Sequence, residues 1–174
     1  MKKNLDRVLV GRALVGQGDE IANIKLLLGP RGSAAETAFC HRLVATGAGS
    51  EALLVSLSPE LSCKPHTLLV NHNAFVRPSQ TVLLYGPAQA AVAQAVTRFA
   101  LNSNITPEDL DDLYLTVSLF IHPDACDRNR VFLQNRDAVS KGLHDIFEPD
   151  AANRSSDELA ALGAKLASLS TDTY

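Results

Sequence analysis

Asn23 and Lys25 stand two residues apart in the stretch from Glu20 to Leu28. In an extended strand that spacing sends both side chains to one face. Ile21, Asn23, Lys25 and Leu27 share it, while Ala22, Ile24, Leu26 and Leu28 share the other. The second set is wholly apolar and belongs against a core, so an amide and an amine project together from the opposite side. Gly29-Pro30-Arg31-Gly32-Ser33 runs into a helix and reads either as a plain turn or as an anion loop. The anion would be held by free N–H groups, the helix dipole and one guanidinium. The loop lacks the spacing of a phosphate loop or dinucleotide fingerprint.

Five histidines, His41, His66, His72, His122 and His144, show no tight metal-ligand spacing, and no metal is expected. His122, between Ile121 and Pro123 at a strand end, reads as either structural or catalytic. His41 and His144 fall on helices beside charged residues and should be solvated. Cys40, Cys63 and Cys126 are far apart and odd in number, which excludes a disulfide framework or zinc knuckle. Glu108, Asp109, Asp111 and Asp112 read as the solvated face of a short helix.

The elements that position these residues follow from periodicity and punctuation. Arg7–Val15 and Glu20–Leu28 flank a glycine-containing loop and form a hairpin. Ser33-Ala34-Ala35-Glu36 is a capping box, opening a helix to about Thr46 with Phe39, Cys40, Leu43 and Val44 as its apolar face. Strands are expected over Glu51–Ser58, His66–Phe75 and Gln80–Tyr85. Gly86-Pro87 starts a helix, because proline at the first position has the right φ and lacks only an orphan donor. Its stripe is Ala88, Val92, Ala95, Val96 and Phe99, with Gln89, Gln94 and Arg98 outward. A short helix begins at Thr106-Pro107, a strand spans Leu113–Ile121, and a long helix spans Arg128–Phe147. Together these predict an α+β fold with helices packed on one mixed or antiparallel sheet in two layers. Residues 1–148 form one domain. Residues 149–174 form a tail whose capping box Ser155-Ser156-Asp157-Glu158 leads a short helix bearing Leu159, Leu162, Leu166 and Leu169.

The 174 residues fit one domain, and 46% hydrophobic against 20% charged residues argues against disorder. Sixteen basic against nineteen acidic residues, a net charge of -3, excludes a general nucleic-acid binder. No apolar run is long enough for a signal peptide or membrane span, so a cytoplasmic location is expected.

Four segments carry a family resemblance. They are Val10-Gly11-Arg12-Ala13-Leu14-Val15-Gly16-Gln17-Gly18-Asp19-Glu20, Leu28-Gly29-Pro30-Arg31-Gly32, Tyr85-Gly86-Pro87-Ala88-Gln89-Ala90-Ala91-Val92-Ala93 and Phe120-Ile121-His122-Pro123-Asp124-Ala125. In order and spacing they resemble the formaldehyde-activating enzymes, over roughly Arg7 to Phe147. The resemblance implies a fold like the second domain of ribosomal protein S5 and a homopentameric ring with sites between subunits. The implied reaction condenses formaldehyde with tetrahydromethanopterin to the methylene-bridged pterin and water.

The family's proton donor is a histidine within Glu-Val-Ala-His-Ile-Asp. The matching stretch here is Glu20-Ile21-Ala22-Asn23-Ile24-Lys25, so Asn23 stands at the acid position and Lys25 at a substrate-binding aspartate. Likewise Asn-Lys-Val-Thr becomes Asn71-His72-Asn73-Ala74, putting His72 at a binding lysine and Ala74 at a binding threonine. Leu54 and Gln89 match binding positions that are kept. The resemblance thus implies a divergent member, a pseudoenzyme or weak lyase, that binds a pterin, formaldehyde or another one-carbon ligand. Two alternatives stand beside it: an active lyase with His72 as relocated acid, and a structural subunit in mixed rings with an active paralogue.

Overall fold

The structure is a computed structural model that describes residues 5–45, 52–72 and 74–147. The expected tail helix lies outside the described residues. Strand β1 (Leu9–Val15) turns through a 3-10 element at Gly18–Glu20 into β2 (Ala22–Pro30), and the two pair antiparallel. Gly16 and Gly18 take positive φ in that turn, which L side chains resist. Helix α1 (Ala34–Val44) follows, then β3 (Ala52–Leu54), β4 (Ser56–Ser58), β5 (Leu61–Ser62) and β6 (His66–Asn71). Helix α2 (Pro78–Leu83) continues through a π turn at Leu84–Ala88 into α3 (Gln89–Asn102). A short α4 (Pro107–Asp111), β7 (Leu113–Phe120) and α5 (Arg128–Phe147) complete the described chain.

Five strands form one sheet in the order β1-β2-β7-β6-β3. β6 and β7 run parallel and every other neighbouring pair antiparallel, so the sheet is mixed. The fold is α+β, with helices packed against it. One sheet face is closed by α3 and α5: Ile24, Leu26 and Leu28 of β2 and Leu115, Val117 and Leu119 of β7 meet Val92, Val96, Val139 and Leu143. Each such side chain, fully buried, is worth about 1.5–3 kcal/mol. Helix α5 lies so close to the hairpin that a Cβ on Gly142 would stand 2.8 Å from Leu26 Cδ1. Glu20 ties the same corner, its Oε1 accepting the N–H groups of Cys126 and Asp127 at 3.4 and 3.2 Å where α5 begins.

Among the described residues, the opposite face is covered only at one end. There α1 seats Phe39 on Leu68 and Val70 of β6 and on Tyr114 of β7. The Phe39 and Tyr114 rings meet edge-on at 5.3 Å.

Several boundaries depart from expectation. Residues 80–85 are helix and π turn rather than strand, and the helix starts at Pro78 rather than at Gly86-Pro87. Pro78 occupies the first helical position, and the Gln80 side chain accepts the N–H groups of Val76 and Arg77 at 2.8 Å. Pro87 falls inside the π turn, whose wider hydrogen-bond spacing tolerates the missing donor. The expected strand 51–58 divides into β3 and β4 around buried Val55, and the strand from His66 ends at Asn71 instead of Phe75. On α1, Leu43 and Val44 are exposed, so Phe39 and Ala35 carry its packing. Its capping box is displaced by one residue. Glu36 accepts from Gly32 N–H at 2.6 Å rather than from Ser33, while Ser33 Oγ accepts from Ala35 N–H at 3.2 Å.

Candidate functional site

Beyond α1 the uncovered sheet face is built from alternate residues of β1, β2 and β7 and the end of β6. The register sets Leu14 opposite Asn23 and Asn23 opposite Phe120. One pleat away, Arg12 stands opposite Lys25, and Lys25 opposite Ser118. The alternation of β2 is therefore as expected: Asn23 and Lys25 are exposed, and Ala22, Ile24 and Leu26 are buried. His72 joins them by extending β6 one residue, its backbone N–H donating to the Leu119 carbonyl at 2.7 Å.

The His72 ring links the strands. Its Nε2 lies 3.3 Å from Lys25 Nζ and its Nδ1 3.4 Å from Ser118 Oγ. An ammonium group can only donate, so Nε2 is assigned as acceptor and Nδ1–H as donor to the hydroxyl. Asn23, Lys25, His72 and Ser118 thus bring an amide, an amine, an imidazole and a hydroxyl to one face. No carboxylate among the described residues pairs with Lys25 or Arg12 there.

Ala74 lies close by. It lines a cavity of about 250 Å³ with Phe75, Gln80, Phe120 and His122, next to the Asn23–Phe120 row. His122 packs edge-on against Phe120 at 6.1 Å between ring centres. Its Nδ1 accepts Asp124 N–H at 3.2 Å and lies 3.5 Å from Asp19 Oδ1. These contacts join the end of β7 to the turn before β2.

Leu54 and Gln89 are elsewhere. Leu54 is on β3, the far edge strand, three strand spacings or about 14 Å across the sheet from β2. Gln89 does not point outward as expected: it is half-buried, and its Nε2 donates to the Ser56 carbonyl at 2.9 Å. Within one chain the six family-implied positions therefore form two groups, Asn23, Lys25, His72 and Ala74 in one and Leu54 and Gln89 in the other.

Two residues of the first group's surface were not anticipated, Arg12 and Ser118. The alternation of β7 carries a signal for Ser118, since Tyr114, Thr116, Ser118 and Phe120 all fall on the less buried side. Arg12 becomes visible only when the hairpin register is known.

A family model described as "Formaldehyde-activating enzyme (Fae)" matches residues 10–155. The chain is 42% identical over 146 residues to a protein of Methanosarcina barkeri named 5,6,7,8-tetrahydromethanopterin hydro-lyase, covering 84% of this chain and 82% of that one. It is 34% identical over 139 residues to a protein of Methanosarcina mazei named bifunctional enzyme Fae/Hps. It is 37% identical over 140 residues to another so named from Methanocella arvoryzae. Each of these matches covers 80% of this chain but only 36% and 35% of the longer relatives.

Proposed function

The chain belongs to the formaldehyde-activating enzyme family, and from that premise we propose that it holds a pterin or other one-carbon ligand on the open sheet face while condensing formaldehyde with tetrahydromethanopterin slowly or not at all. In that condensation a pterin amine adds to the aldehyde, the carbinolamine loses its hydroxyl as water, and the second nitrogen closes the ring. The departing hydroxyl needs a proton. One observation carries the reading: the side chain at the position implied for the acid is the Asn23 amide, exposed between Leu14 and Phe120. An amide does not titrate, and losing a general acid costs about 10²–10⁴-fold, roughly 3–5 kcal/mol of barrier. Lys25, in place of an aspartate, also reverses the charge beside it.

The roughly 14 Å between the strands bearing Asn23 and Leu54 supports a complete site made by two subunits. A homopentamer is the assembly the family resemblance implies, and a cytoplasmic setting goes with it. Val10 and Leu14, 65% and 62% exposed on edge strand β1, are apolar surface suited to such a contact, or to a mixed ring with an active paralogue.

The test is the rate of methylene-pterin formation from formaldehyde and tetrahydromethanopterin, with and without the protein. The wild type should stay near the spontaneous rate, and Asn23→His should raise the rate by about 10²-fold or more. Wild-type turnover far above the spontaneous rate, abolished by a substitution on this face, rejects the reading. A second reading has its own support: the His72 imidazole does reach the face that carries Asn23. If His72 is a relocated acid, His72→Ala removes turnover that the wild type possesses.

A further inference from the structure

Arg12 and Lys25 face each other directly across the β1–β2 pair, and both are exposed. Like charges in directly opposed strand positions destabilise the pair. Neither has a carboxylate partner among the described residues, whereas Arg31, Lys64, Arg77, Arg130, Arg136 and Lys141 each do. Around them stand further donors, the Ser118 hydroxyl and the Asn23 amide, while the His72 ring, its N–H turned to Ser118, accepts from Lys25 and holds the ammonium in place. Formaldehyde is neutral and gains little from two cations. A carboxylate or phosphate gains charge-assisted hydrogen bonds from both, with the arginine fork gripping two oxygens and the lysine acting as a point charge.

We propose that Arg12, Lys25 and Ser118 form an oxyanion site, with His72 positioning the lysine and the hydroxyl, so that the ligand of this face carries a carboxylate or phosphate group. The proposal rests on the reading that this is the ligand face, and it adds the chemical class that the face selects. Binding the oxyanion removes the repulsion between the two cations, which gives the pair a reason to exist.

The experiment titrates the whole protein with sodium formate and, separately, with inorganic phosphate, at constant ionic strength set by chloride. Binding is read by calorimetry and by the NMR shifts of the His72 ring. At least one anion should bind saturably with movement of the His72 signals. Arg12→Gln and Lys25→Gln should each weaken it tenfold or more, and Lys141→Gln, distant on α5, should leave it unchanged. Response to formate alone identifies a carboxylate site, and response to phosphate alone a phosphate site. No saturation by either anion, equal weakening by Lys141→Gln, or binding unaltered in both face variants overturns the proposal. So does dissociation of an assembly by the anions, which would make a partner's carboxylate the natural occupant. Because no pterin is present, a fast condensation rate would reject the proposed function and leave this result standing, and the converse also holds.

Discussion

Two lysine–histidine pairs sit at opposite ends of β6 with the same 3.3 Å between Nζ and Nε2, and their surroundings differ. At the start of the strand, Lys64 contacts His66 and also pairs with Asp111 at 2.6 Å. His66 stacks on Tyr114, and Arg31 pairs with Asp112 at 2.9 Å nearby. At the end of the strand, Lys25 contacts His72 with Arg12 opposite and no carboxylate partner among the described residues. The first pair is neutralised within the chain and packed beside the helix that covers it. The second keeps its positive charge toward open space. The same chemical pair thus serves structure where its charge is matched, and remains available to a ligand where it is not.

That contrast can be broken most forcefully through the aromatic anchor of the covered end. Phe39→Ala should cost about 3–5 kcal/mol of stability in urea unfolding, because it empties the contact between α1 and the sheet. Below its unfolding midpoint the variant should bind anions on the open end as the wild type does. A parallel loss of binding would mean that the two ends are not independent.

A smaller effect comes from His66, whose pKa is lowered chiefly by burial and then by Lys64. Its folded value lies below the ordinary value of about 6.5, so the unfolded chain takes up the proton first as pH falls. Stability should therefore decline as pH drops from about 6.5 through the folded value. In His66→Gln, melting temperatures measured across that window should decline less.

The smallest effect is expected at Asp111. Its hydrogen bond and charge interaction with Lys64 hold the carboxyl below the usual carboxylate range. The stabilisation is then present above the unfolded value of about 3.9 and is lost as pH falls through the folded one. Asp111→Asn should melt slightly below the wild type at neutral pH, and the two curves should converge in acid. It also leaves Lys64–His66 without its counter-ion, so a new anion response at that end would sharpen the comparison directly.

Where local rules act alone, the sequence was legible. Helix α5 has the expected bounds, Arg128–Phe147, and Thr106 caps α4 by accepting the Asp109 N–H at 3.1 Å. The two faces of β2 follow from alternation. Where several signals compete, legibility failed. Pro78 and Pro87 both resemble a helical first position, and only the π turn lets one helix contain the second. The break at Val55 depends on pairing, since its N–H donates to Thr67 and its carbonyl accepts from Cys63. Of the five polar residues on the open face, Asn23 and Lys25 were legible from alternation and His72 through the family resemblance. Arg12 was hidden because a one-residue slip of the hairpin would have sent it to the other side.

The near contact at Gly142 couples the interior to the face that carries Arg12 and Lys25. A methyl group placed there must displace Leu26, the residue next to Lys25 along the strand but on the reverse side. Relief comes from a turn of the Leu26 side chain or from a shift of its strand, and a strand shift changes the spacing of Arg12 and Lys25 from beneath. Under the proposed oxyanion site, selectivity is then open to substitutions in the protein's interior that inspection of that face alone would not suggest.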